Sequence, residues 1–152
     1  MTLLAIDPGT SQSGFVVLDG GKVVASGVLP NHETLVLIAD HHGDLAIEMV
    51  ASFGMAVGKE VFETVRWIGR MQQAFERPEA VQLVYRRDVK MHLCGSAKAK
   101  DANVRQAIID RFGPGKDRAI GKKATPGPLY GVTSHAWAAL AVALTTTESQ
   151  RW

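Results

Sequence analysis

The spacing of apolar and polar positions changes several times along the chain, and each change marks an element. Residues 2–7 (TLLAID) form an apolar run too short and too bounded for a helix, which predicts a strand buried on both faces. Residues 14–18 (GFVVL) and 22–28 (KVVASGV) are β-rich runs on either side of Asp19-Gly20-Gly21, a short-range hairpin signal. The sheet should therefore begin as an antiparallel meander. After Pro30, the spacing over NHETLVLIADHH suits a helix with Asn31 as its N-cap. Residues 44–50 (DLAIEMV) then predict a short strand with Glu48 near its end.

Farther on, Val57, Val61, Val65, Ile68, Met71 and Phe75 recur at intervals of three and four, one apolar face of a helix over 57–76 that Pro78 stops. Residues 80–85 (AVQLVY) predict a fifth strand, and residues 99–112 a helix closed by Gly113 and Pro114. Residues 113–131, rich in Gly, Pro and Lys, read as one long, mobile loop. An Ala-rich helix over 133–147, capped by Thr133 or Ser134, ends the pattern. With no internal repeat and no linker, residues 1–152 predict one α/β domain. Its five-stranded mixed sheet is an antiparallel three-strand meander plus two further strands, flanked by helices.

Composition narrows the setting. A hydrophobic share of 46% and a charged share of 21% are those of an ordinary globular protein. The single cysteine, Cys94, cannot form an internal disulfide. No apolar run approaches the roughly 20 residues of a membrane span, and no basic stretch precedes the first apolar residues, so a cytoplasmic protein without membrane contact is expected. The net charge of +2 is unevenly spread: residues 1–85 carry five Lys/Arg against ten Asp/Glu, and residues 86–123 eleven against four. An acidic part beside a basic part suits a polyanion partner and a site that gathers cations, although a solvated basic helix has the same signature.

The sharpest local feature is Asp7, which ends an apolar strand and is followed at once by Pro8, Gly9 and Thr10. A carboxylate there must be hydrogen-bonded, paired or metal-bound, because a bare buried charge is very costly. Gly9 and Gly14 allow close approach by a phosphate or another chain, and Thr10, Ser11 and Ser13 add hydroxyls. Plain turn chemistry, with Asp7 bonding its own backbone, fits the same residues. Glu48 repeats the theme at the end of another apolar strand. Two facing carboxylates repel unless a divalent cation lies between them. His135, in the first turn of the last helix, is the third candidate, against the plainer reading of a partly exposed capping residue. Oxygen and imidazole donors of this kind suit Mg²⁺ or Mn²⁺.

Four segments in order carry a resemblance. AIDPGTSQSGFVVLDGG, LAIEMVASFGMAVGKEVFETVRWIGR, VKMHLCGSAKAKDANVRQAI and SHAWAALAVAL together resemble RuvC-type Holliday-junction resolvases, in the small phage-like branch of the RNase H-like and retroviral-integrase superfamily. The resemblance implies an RNase H-like fold and a structure-selective endodeoxyribonuclease that hydrolyses phosphodiesters at four-way or related branched DNA. It implies two Mg²⁺ or Mn²⁺ ions roughly 4 Å apart, with Asp7 bridging them and Glu48 and His135 each holding one. It also implies a homodimer cutting symmetric strands, for which the helix over 57–76 is the candidate surface.

One position departs from the family pattern. The second ligand of the final helix falls on Ala138, which cannot bind metal. Three ligands and water, a substitute carboxylate (Asp101 ahead of Asp88) or an altered residue would each account for it. Lys100 is the candidate lysine beside the scissile phosphate. Arg86, Arg87, Lys90, Lys98, Lys100, Arg105, Lys116, Arg118, Lys122 and Lys123 are candidate phosphate contacts, together with Thr10 and Ser13. Phe53 either stacks on a base or, in the favoured reading, packs in the core. Three other functions compete: a catalytically impaired protein that binds junctions, an ATP-binding domain of the actin and sugar-kinase type, whose Asp-x-Gly-Thr turn cradles phosphates, and another nuclease of the same fold acting on different branched or flapped DNA or on RNA hybrids.

Overall fold

The computed structural model describes residues 2–149. Strands β1 (Thr2–Asp7), β2 (Gln12–Asp19) and β3 (Lys22–Pro30) form the expected antiparallel meander, turned at Gly20 and Gly21, both with positive φ. Helix α1 (Asn31–Asp40) leads to β4 (Asp44–Met49), and α2 (Lys59–Ala74) with a 3₁₀ turn at Pro78–Ala80 leads to β5 (Gln82–Tyr85). β4 pairs parallel with β1, and β5 parallel with β4, giving the sheet order β3-β2-β1-β4-β5. The chain continues through α3 (Arg86–Cys94), α4 (Asp101–Phe112), α5 (Gly115–Ala119), the two-residue strands β6 (Gly121–Lys122) and β7 (Thr125–Pro126), and α6 (Ala136–Ser149). Among the described residues no helix is long and apolar enough to cross a membrane.

Successive side chains of a strand point to opposite faces, and β1 uses both. Leu4 and Ile6 join Leu45 and Ile47 of β4, Ile38 of α1 and Ile68, Met71 and Phe75 around α2 in one core. Leu3 and Ala5 join Ala46 of β4, Val89 and Leu93 of α3, Val104 and Ile108 of α4 and most of α6 in the other. Helix α6 is buried nearly all round, its alanines letting it lie close against β1 and β2. Its threonines turn inward as well: Thr145, Thr146 and Thr147 donate their hydroxyls to the carbonyls of Ala141, Val142 and Ala143 at 2.8, 2.9 and 3.0 Å.

Several local expectations are corrected. Asn31 is the first helical residue and does not cap α1; its side chain is buried and turned to the 8–13 segment. On α2 the buried face runs through Thr64, Ile68 and Met71, while Val65 is exposed. Helix α3 had no sequence signal beyond Val89 and Leu93, its two buried residues, amid charged neighbours. Segment 113–131 is not one loop. Leu129 and Ala119 are fully buried, and Leu129 N–H donates to Ala119 O at 2.8 Å. Helix α6 begins at Ala136, so neither Thr133 nor Ser134 caps it. His135 immediately precedes it, and its carbonyl accepts the Ala139 N–H at 3.1 Å.

Candidate active site

The parity of two strands brings the acids together. Asp7 follows Leu3 and Ala5 on the α6 side of β1, and Glu48 follows Ala46 on the same side of β4. The parallel register aligns Ala5 with Ala46 and Ile6 with Ile47, so Asp7 falls beside Glu48 at the next step. Their side chains keep only 13% and 14% of their accessible surface. Each carboxyl therefore lies within the other's influence, and neither is freely solvated.

This environment is hard on charge. Burial pushes the Asp7 carboxyl up to about 6, against the lowering effect of the Glu48 hydrogen bond and the Arg86 charge. Burial, and then the neighbouring Asp7 charge, push Glu48 up to about 7. His135 reaches the pair from the end of the sheet: its Nδ1 lies 3.2 Å from Asp7 Oδ2, and its ring is more than half exposed. Gly14 makes this approach possible. It is paired with Asp7 across β1 and β2, and a Cβ there would meet the His135 backbone carbonyl at 2.4 Å. The close approach allowed by Gly14 is thus used by the chain's own backbone.

The turn after Asp7 is braced from inside. Ser13 is buried; its hydroxyl donates to Asn31 Oδ1 at 2.6 Å and accepts the Gly9 N–H at 3.3 Å, while Asn31 Nδ2 donates to Gly9 O at 2.9 Å. The Ser13 hydroxyl is therefore committed to bracing the turn from inside. Thr10 remains at the surface of a cleft of about 350 Å³ that Asp7, residues 8–12 and His135 line. Phe53 is 60% exposed with φ 49°, in a turn with Gly54, so the core reading of it is overturned. The Arg87 guanidinium lies 5.8 Å from its ring.

On the other side of His135 a second cavity, of about 530 Å³, is lined by Arg86, Asp101, Arg105, Trp137 and Ala138 among others. Arg86, a candidate phosphate contact by sequence, lies beside the acidic pair. It opens α3 directly after β5, with Nη1 3.7 Å from Glu48 Oε1 and Nη2 hydrogen-bonded to Asp101 Oδ1. Arg105 lies over the Trp137 ring at 4.4 Å. Arg87, Lys98, Lys100, Lys116, Arg118, Lys122 and Lys123 are exposed, and Lys90 is half-buried. Lys100 directly precedes Asp101 and donates its backbone N–H to Asn103 Oδ1 at 2.9 Å.

Among the described residues, no group of three or more His, Cys, Asp or Glu side chains is arranged to hold a metal ion unaided. The donor chemistry nonetheless fits a hard cation. Mg²⁺ is commonly held by one or two carboxylates and the phosphates of its substrate. Glu48 Oε1 is buried without a hydrogen-bond partner, and a cation between Glu48 and Asp7 would relieve both that vacancy in bonding and the raised carboxyl pKa values.

An antiparallel meander that continues into two parallel strands, with helices on both faces and acids at the ends of β1 and β4, is the RNase H-like fold. Two structures of Thermus thermophilus RuvC share it. One, in complex with a Holliday junction substrate, superposes with a TM-score of 0.68 at 22% identity, covering 99% of this chain and 95% of that one. Another RuvC structure gives a TM-score of 0.67 at 21% identity, covering 99% and 96%. No protein-family model and no curated protein matches the chain.

Proposed function

We propose that the chain is a divalent-cation-dependent endonuclease that nicks four-way DNA junctions or closely related branched DNA. The observation that carries this reading is the in-register placement of Asp7 beside Glu48, with His135 Nδ1 on Asp7. Likeness in fold to a RuvC structure in complex with a Holliday junction substrate supports the choice of DNA, and so does the basic segment 86–123.

Asp7 and Glu48 would hold the cation, Mg²⁺ or Mn²⁺. When bound, it supplies positive charge for the phosphate and makes water a better nucleophile. The remaining work falls to the protein. His135 Nδ1 fixes Asp7 in orientation, and its other ring nitrogen has no hydrogen bond among the described residues. That nitrogen can accept the proton of the attacking water and return it to the leaving oxygen. Water adds to phosphorus, the P–O3′ bond breaks, and the products are a 3′ hydroxyl and a 5′ phosphate. Exposed lysines and arginines of α4, α5 and the 116–123 segment would track the flanking phosphates. Paired, symmetric nicks need two copies of the chain, and Phe62 and Val65, exposed on α2, suit a contact between them.

The test incubates labelled four-way junction, matched duplex and Y-fork with Mg²⁺ or Mn²⁺. Wild type should nick the junction in preference to duplex. Asp7→Asn should cut slower by a factor on the order of 10³, as expected when several kcal/mol of transition-state stabilisation are lost. An uncut junction at every metal concentration would leave a second reading, tight junction binding without cleavage, which Ala138 in the site cavity favours.

A further inference from the structure

Arg86 and Glu48 make an unfinished contact. At 3.7 Å, Nη1 of Arg86 and Oε1 of Glu48 are close enough to attract but too far apart to hydrogen-bond. Both atoms are buried, and neither has a hydrogen-bond partner among the described residues. The other arm of the guanidinium is engaged, Nη2 being hydrogen-bonded to Asp101 Oδ1. Orphaned buried polar atoms are rare because each forfeits its hydration. Two that face each other across a small gap mark a place where something is meant to change.

We propose that Arg86 is the second cation of the acidic site, which is built for one divalent ion and one guanidinium in place of two ions. This role in cutting rests on the nuclease reading above; the count of bound ions does not. Three observations converge on it. Arg86 begins α3 at the end of β5, next to β4, so its positive charge is delivered to Glu48 by the backbone path itself. Ala138 lines the same cavity as Arg86, His135 and Asp101, and brings no donor for another ion. Asp101, the carboxylate that lines this cavity, is already committed to Arg86, with its side chain 87% exposed.

Arginine suits the task. It stays charged at every working pH, and its planar fork can grip two partners at once. Nη2 holds Asp101, which sets the plane of the fork. Nη1 is left with Glu48 at arm's length and open to a non-bridging oxygen of the scissile phosphate. A fixed positive charge, in place before the substrate arrives, then opposes the negative charge that develops on that phosphate. Lysine, a single point donor on a flexible stem, could not keep Asp101 and reach the phosphate together.

The experiment counts Mn²⁺ bound per chain by calorimetry, with protein alone and with a nuclease-resistant phosphorothioate junction, in wild type, Arg86→Gln and Arg86→Lys. Wild type should bind one ion per chain in both settings. Arg86→Gln should bind Mn²⁺ about 3- to 10-fold more tightly or take a second ion, because a competing positive charge is gone. Its nicking should fall at least about 100-fold while junction affinity falls less than about 3-fold, and Arg86→Lys should recover part of the rate. Two ions per wild-type chain would overturn the proposal. So would unchanged Mn²⁺ binding in Arg86→Gln, or a loss of nicking matched by an equal loss of junction affinity, the mark of an ordinary phosphate contact. If wild type cuts no DNA at all, the nuclease reading fails, and the ion count of the wild-type protein still decides the place of Arg86. That count also decides it if Arg86→Gln does not fold.

Discussion

The molecule twice sets a partly exposed guanidinium against a carboxylate, and completes only one of the pairs. Arg111 of α4 grips Glu148 of α6 with both arms of its fork, Nε to Oε2 at 2.9 Å and Nη2 to Oε1 at 3.1 Å, and His92 of α3 adds a third contact at 2.8 Å. Burial alone would raise the Glu148 pKa, but the hydrogen bonds from Arg111 and His92 outweigh it and hold the carboxyl below its ordinary range. Arg86 and Glu48 stop at 3.7 Å, and the Glu48 pKa goes the other way, up to about 7. The same chemistry is thus closed where three helices must be joined, and left open where two acids meet at the strand ends. An open pair costs stability, which sets that end of the sheet apart from the closed pair at the helix junction.

The contrast predicts opposite responses to pH. The folded protein holds the Asp7 and Glu48 protons more tightly than the unfolded chain does. Their contribution is therefore greatest at low pH and is lost as pH rises from about 4 through 7. Taken as one unit, the pair should cost on the order of 3 kcal/mol above pH 7. Glu48→Gln should accordingly be more stable than wild type by up to that amount at pH 8, and little different at pH 4, by urea unfolding. Mg²⁺ at 100 times its Kd should restore about 2.7 kcal/mol to wild type at pH 8 and nothing to the variant. A wild type no less stable relative to Glu48→Gln at pH 8 than at pH 4 would break the comparison.

The closed pair should give a smaller effect of the other sign. Glu148 is stabilising while ionised and loses that contribution as pH falls through the acid range. Glu148→Gln should lower stability by about 1 kcal/mol at pH 7, a modest figure because the group is partly solvated. Junction nicking should be unchanged, and a loss of nicking beyond that explained by unfolding would show that the two pairs are not separate. Smallest of all, Phe53→Ala should change unfolding free energy by no more than about 0.5 kcal/mol, since the ring is exposed. Its effect should appear only as weaker junction binding in a gel-shift titration.

Much of this was legible in the chain, and for physical reasons. Strands of period two with apolar residues at both parities announce a sheet covered on both sides, and Asp7 and Glu48 break that pattern at equivalent points. His135 was legible in kind, though one residue outside the helix expected to carry it. Arg86 was not legible as a member of the site. It begins a helix whose apolar signal is two residues, and a lone arginine in a basic stretch gives no sign of pointing inward. The bracing by Asn31 and Ser13 was not legible either: both have the composition of caps and ligand donors, and the close packing of α1 against the β1–β2 turn uses them as internal struts.

Gly14 has a consequence for how the protein comes into being. The imidazole and the first acid are separated by 128 positions in the chain and meet only because one residue on β2 lacks a methyl group. On the ribosome, a nascent chain would show its two carboxylates long before the histidine is synthesised, and the trio would assemble only when the terminal helix docks. Whatever chemistry the trio supports would then wait on α6, which follows both acids in the chain.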